Sequence, residues 1–195
     1  MNKSDRRARK TQSSIKQILI NLLKQKELEK ITVTELCELA DINRSTFYSH
    51  YCDIYELLDD IEKSCLQEMD EHIEYIANHT LEPEQVTEMI LSYIYNTKEL
   101  LTLFIFKMNE HTIWEEINQK IIRLFKMKTL QIYQLPKYMD EEEFNDLILF
   151  LVSGYYAIYK KWLSHNCEED IKIIAKRTTR LSHICFEKLL IRKIT

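Results

Sequence analysis

The sequence predicts an all-α protein, on three observations. One Gly and two Pro in 195 residues leave almost no turn residues for antiparallel hairpins. Apolar residues recur at three- and four-residue spacing over most of the chain. Helix-starting patterns stand where that spacing begins: Thr32-Val33-Thr34-Glu35, Asp53-Ile54-Tyr55-Glu56 and Asp140-Glu141-Glu142-Glu143. A content of 45% hydrophobic and 30% charged residues fits a soluble helical chain. No apolar run approaches the ~20 residues that span a bilayer. The amino terminus is charged and unlike a signal peptide, so a cytoplasmic protein with no membrane association is expected. Five scattered cysteines, odd in number, read as reduced thiols.

The first helix is expected from near Thr11 to about Gln25, with Ile15, Ile18, Leu19, Leu22 and Leu23 as its apolar stripe. Before it lies a basic arm, in which Lys3, Arg6, Arg7, Arg9 and Lys10 meet only Asp5. The net charge of −4 speaks against a polyanionic partner, but the arm concentrates positive charge at one end. In the box at Thr32, the hydroxyl accepts from the amide of Glu35 while Glu35 reaches back to Thr32. That helix puts Val33, Leu36, Cys37 and Ala40 on one face. Asp41 sits where a left-handed residue would close it. Asn43 is placed to cap the next helix. Phe47 and Tyr51 anchor that short helix, which leaves Arg44, Ser45, Thr46, Tyr48 and His50 facing outward. Donors and a ring with no carboxylate, on the second helix of a helix-turn-helix, are suited to a DNA major groove.

Asp53 and Glu56 start a long helix from Ile54 to about Asn78. Ile54, Leu57, Leu58, Ile61, Cys65, Met69, Ile73 and Ile76 form its stripe. Pro83 suits the start of a helix running to about Asn96. Residues 98–108 are apolar nearly all round. A further helix spans about Ile113 to Tyr133, with Lys128 on its apolar side, and Leu135-Pro136 ends it. The helix begun at Asp140 carries Gly154 mid-way, a glycine expected to permit close approach of another helix. The last helix runs from about Glu168 to Arg192.

The stretch from Ile31 to Leu58 resembles the TetR/AcrR family of bacterial regulators. The resemblance rests on Ile31-Thr32-Val33, Leu36, Ala40, the string Thr46-Phe47-Tyr48-x-His50-Tyr51, and Glu56-Leu57-Leu58. Two positions depart from the family pattern: Asp41 stands where Gly is usual, and Ile54 where a Lys is usual. The resemblance implies an N-terminal three-helix helix-turn-helix DNA-binding domain, residues 1–58. A long helix joins it to a C-terminal helical ligand-binding and dimerisation domain, residues 59–195. Tyr48, His50 and Thr46 then resemble the family's phosphate-contacting residues. Arg44 and Ser45 hold its base-reading positions, and Thr34 completes the DNA-binding set. The final two helices would form a two-fold interface through Leu151, Tyr155, Tyr159, Trp162, Ile174, Leu181 and Ile184. The stretch from Gly154 to Leu163 also resembles a C-terminal type of Gram-positive members, some of which control small-metabolite kinase operons.

The function expected is a ligand-responsive repressor that binds a palindromic operator as a homodimer. Its partners are double-stranded operator DNA, a second copy, and a small-molecule effector or protein co-regulator. A pocket lining of Tyr93, Phe104, Met108, Trp114, Phe125, Tyr155 and Tyr159 is expected, although aromatics at helical spacing more often form core. Six histidines show no ligand spacing, so neither metal nor cofactor is expected. One glycine cannot supply a phosphate loop, a nucleophile elbow or a dinucleotide fingerprint, so no enzyme is expected.

Overall fold

The computed structural model describes residues 3–106 and 111–193. Among them are nine α-helices and one two-stranded ladder. The chain divides into two compact units, Met1–Glu68 and Met69–Thr195. The division lies inside a helix, ten residues beyond the expected boundary, because the first turns of that helix complete the core of the first unit.

In the first unit, α1 spans Lys3–Leu23, α2 Val33–Ala40, α3 Arg44–Tyr48, and α4 begins at Ile54 and runs to Asn78. The expected start of α1 at Thr11 is moved back to Lys3. The basic segment has no apolar period, but Lys, Arg and Ala are good helix formers. Ile15, Leu19, Leu36, Phe47 and Leu57 are wholly buried and make the centre of this unit. Thr32 caps α2, its Oγ1 accepting from the Glu35 amide at 3.2 Å. The Glu35 carboxylate turns to Lys26 instead of back to Thr32, a charge-assisted bond replacing a neutral one. Asp41 is left-handed at φ 51°, as expected. The amide of Ile42 donates to the Cys37 carbonyl and that of Asp41 to Glu38, which closes α2 tightly.

In the second unit, α5 is Pro83–Asn96, α6 Lys98–Phe106, α7 His111–Ile132, α8 Glu141–Ser164 and α9 Ile171–Leu189. Asp140 and Glu143 satisfy each other's amides at 2.8 and 3.1 Å to start α8. One core gathers Leu91, Leu101, Trp162, Leu163, Ile174 and Ala175. Another gathers Phe144, Ile148, Leu151, Val152, Phe186 and Leu190. The sequence reading carried helix through Tyr133 and Arg192. The structure instead ends α7 and α9 earlier and pairs β1 (Tyr133–Gln134) antiparallel with β2 (Ile191–Arg192). Two residues per strand give no period to read. Lys128, odd on its apolar stripe, has a clear use: its ammonium donates to the His79 carbonyl at 2.8 Å, just past the end of α4. A cation there complements the carbonyl end of the helix dipole. Burial pushes the Lys128 pKa down. Lys120, two turns earlier, pairs with Asp70 of α4 at 2.7 Å.

Candidate nucleic-acid interface

The helix expected to enter the groove has five residues, Arg44–Tyr48. A helix this short has no stability of its own and holds its shape only by anchorage. Phe47 supplies that anchor. It is fully buried, with its ring 5.9 Å from Tyr51 and edge-on to Tyr48 at 5.5 Å. Around this one inward residue the others turn out. Arg44 and Ser45 are exposed, Tyr48 is 55% exposed, and Thr46 and His50 are half-buried. Thr34, in the first turn of α2, is half-buried. Five of the six expected contact residues therefore lie within one seven-residue stretch of α3 and the turn after it. Asn43 stands at the cap position as expected, but only its carbonyl serves the helix, accepting from the Thr46 and Phe47 amides at 2.9 and 3.2 Å.

A polar network, not read from the sequence, fixes the end of this element. The Tyr51 hydroxyl donates to Asp60 Oδ2 at 2.7 Å, and Lys16 Nζ meets the same oxygen at 2.9 Å. Lys16 also donates to Ser64 Oγ at 2.8 Å. One carboxylate thus joins α1, the residue after the recognition turn, and α4. Burial alone would raise the Asp60 pKa, but the bonds from Tyr51 and Lys16 outweigh it and hold the pKa below its ordinary value. The sign follows: stability from this group is present above the unfolded carboxylate pKa of about 3.9, and fades as pH falls through the lower folded value. Asp60 is 40% exposed, so solvent screens the effect. Asp60→Asn should lower stability by roughly 1 kcal/mol at neutral pH. The gap should narrow as pH falls below the ordinary carboxylate pKa, as measured by melting against pH. A gap of constant size down to acid pH would show that the charge of Asp60 does not stabilise this unit.

The aromatic residues expected to line a pocket are distributed over several contacts. Tyr93 is buried with its ring 4.9 Å from His72, and Phe104 is buried in α6. Phe125 meets Tyr155 edge-on at 5.4 Å, and Tyr155 stacks with Tyr159 at 5.8 Å. The Tyr155 hydroxyl donates to Ser182 Oγ at 2.6 Å and to the Thr178 carbonyl at 3.1 Å. Burial raises its pKa to about 12, so it stays a neutral donor at ordinary pH. Phe125, Tyr155 and Tyr159 thus pack against one another in the protomer. Met108 lies outside the described residues, as does the side chain of Trp114. A cleft of about 470 Å³ lies at the α8–α9 turn beside Ile158, Lys161, Trp162 and Arg177. None of the seven expected residues lines it. Sequence reasoning missed this cleft because its charged residues looked like an ordinary solvated face.

The face expected for self-association is divided by the structure. Leu151, Trp162 and Ile174 are buried in the protomer's own cores, and Tyr155 and Tyr159 are largely covered. A side chain already covered has little surface left for a partner. Leu181 and Ile184 stay exposed, and the structure adds Leu149, Phe150 and Ile173. No group of acidic, His and Cys residues suited to a metal occurs among the described residues. No helix there is long and apolar enough to cross a membrane.

A three-helix unit presenting a short exposed helix after a tight turn defines the helix-turn-helix class. The chain belongs to the TetR family. The family's model of the transcriptional regulator C-terminal region matches residues 81–183, more than half the chain. No curated protein matches it. Solved structures share the fold. A TetR transcriptional regulator from Streptococcus agalactiae is 21% identical, with 91% of this chain and 96% of that one covered and a TM-score of 0.64. The dihydroxyacetone kinase operon activator DhaS is 17% identical, with 92% and 98% covered and a TM-score of 0.55. FadR, a TetR-family repressor from Thermus thermophilus solved with lauroyl-CoA, is 17% identical, with 94% and 97% covered and a TM-score of 0.52. At these identities the likeness is one of fold.

Proposed function

We propose that the protein is a sequence-specific DNA-binding regulator, a repressor that binds a near-palindromic operator in the cytoplasm as a homodimer. The observation that carries the reading is the recognition helix. Its single inward residue, Phe47, is wholly buried, and Arg44, Ser45 and Tyr48 stand exposed beside it. Tyr48, His50 and Thr46 contact phosphates, which sets position without reading sequence. Arg44 reads a base, its guanidinium suited to the two acceptors of guanine. The arm from Lys3 to Lys10 adds sequence-independent attraction. Gel shift against fragments around the gene, followed by two variants, tests this. Tyr48→Ala should weaken specific and unrelated duplexes alike. Arg44→Ala should cost about 1–3 kcal/mol and relax preference at one position. Unchanged affinity in both, with the helical spectrum intact, would remove α3 from the groove.

The second unit is the sensing and dimerising part. Its exposed apolar residues on α8 and α9 are the face offered to a second copy. By the example of FadR, a small and partly apolar effector is the class to screen first. Differential affinity for two packings of this unit is what shifts DNA binding, with coupling of roughly 1–3 kcal/mol. Helix α4, gripped at its far end by Lys120 and Lys128, continues from this unit into the DNA-binding one and is the path for the signal. If no small molecule binds, a protein co-regulator takes that role.

A further inference from the structure

The exposed stripe of α8 has the same pattern in both directions. Along one face of α8 and its cap residue, Glu142, Asp146, Phe150, Ser153, Gly154, Ala157, Lys161 and His165 are exposed at three- and four-residue spacing. Reflection about the midpoint of Ser153 and Gly154 pairs Phe150 with Ala157, Asp146 with Lys161, and Glu142 with His165. Two copies of one helix crossing antiparallel on a two-fold axis are related in this way. Every pair is complementary: a large ring meets a methyl group, and each acid meets a base. The centre is made of two small residues, Ser153 and Gly154. A Cβ added at Gly154 would meet nothing within 4 Å, so packing inside the protomer does not call for glycine. Glycine nevertheless costs about 1 kcal/mol there relative to Ala. Phe150 is 72% exposed, more than any other large apolar side chain described. Ala157 directly precedes Ile158, which lines the cleft together with Lys161, Trp162 and Arg177.

We propose that α8 crosses α8 of a second copy at Ser153–Gly154, with Phe150 seated on the partner's Ala157 at the mouth of this cleft and Asp146 paired with the partner's Lys161. This rests on the homodimer reading and adds its register. Because the contact is isologous, each protomer supplies one ring and one cleft, one acid and one base. The charge pairs sit toward the ends of the crossing, where they choose the antiparallel direction. A parallel crossing would set acid against acid at one end and base against base at the other.

The test is a charge exchange read by sedimentation equilibrium on the full chain. Asp146→Lys alone sets Lys against Lys161, and Lys161→Glu alone sets Glu against Asp146. Each variant should self-associate about tenfold more weakly than wild type. Mixed in equal amounts, the two should form a heterodimer of near wild-type strength, since both of its pairs are again of opposite sign. Phe150→Ala should weaken association by about 10- to 100-fold with an unchanged helical spectrum. Should either charge variant fold poorly, Phe150→Ala and Gly154→Leu decide, both expected to give weaker dimers. A wild-type dimer that none of these changes weakens, or a mixture without recovery, would overturn the register and leave the dimer standing. A wild-type monomer at micromolar concentration would overturn the dimer itself.

Discussion

Phe47→Ala is expected to abolish DNA binding while removing no DNA contact. The side chain is wholly buried, the one buried residue of a five-residue helix. Truncating a buried Phe costs about 3–5 kcal/mol, the lost transfer energy plus the cavity left behind. A domain's whole stability is only about 5–15 kcal/mol, and a unit of 68 residues lies toward the low end. A helix below ~12 residues does not persist unaided. The segment from Asn43 to Tyr51 should therefore lose its helical geometry in much of the population, and the presented Arg44 and Tyr48 with it. Hydrogen exchange gives the check: amides of α2, α3 and the start of α4 should lose protection, and operator affinity should fall at least 100-fold. Tyr48→Ala is the control, a half-exposed position whose truncation should leave exchange unchanged. Wild-type protection and affinity in Phe47→Ala would mean that the recognition element is held by something other than this ring.

The first unit was legible because its information is local. The cap at Thr32, the left-handed Asp41 and the anchors Phe47 and Tyr51 each act within a few residues, so spacing alone locates them. The network of Lys16, Tyr51, Asp60 and Ser64 was not legible. Its members lie 44 and 48 residues apart along the chain, and each alone looks like a surface residue. The second unit was harder for a different reason. Helix α8 is apolar on more than one side, so periodicity showed that it is buried without saying by what. Tyr155 and Tyr159 belonged equally to a pocket, an interface or a core. The hydroxyl bonds to Ser182 and Thr178 turn Tyr155 inward, and that information sits on α9, more than 20 residues away. Short strands at Tyr133 and Ile191 escaped because a two-residue ladder has no pattern.

Leu181→Glu should turn a dimer into monomers, and with that weaken operator binding about 100- to 10,000-fold. Helix α9 has two apolar faces. Ile174, Ala175, Thr178, Ser182 and Phe186 are buried inside the protomer. Ile173, Leu181 and Ile184 are 57%, 47% and 53% exposed, and Leu149 and Phe150 of α8 add to the uncovered apolar surface. Such a cluster on a soluble protein marks a surface that is covered in use. A carboxylate set within that contact must lose its water without a partner, a cost of several kcal/mol. At 1.4 kcal/mol for each factor of ten, the dissociation constant should rise about 100- to 1,000-fold. The protomer should stay folded, because residue 181 is outside its core. Ile174→Glu, seven residues earlier on the inner face and wholly buried, should instead unfold the unit. DNA amplifies the difference. A dimer places two recognition helices on one palindrome, so the second half-site is bound at high effective concentration, and its loss costs about 100- to 10,000-fold in affinity. Half-site binding by the monomer should persist at that weaker level, since Arg44 and Tyr48 are untouched. Sedimentation and operator titration of the same Leu181→Glu sample check both statements together. A Leu181→Glu protein that still sediments as a dimer would put the association on another face, and one that is monomeric yet binds the palindrome undiminished would show that DNA recognition does not need the pair.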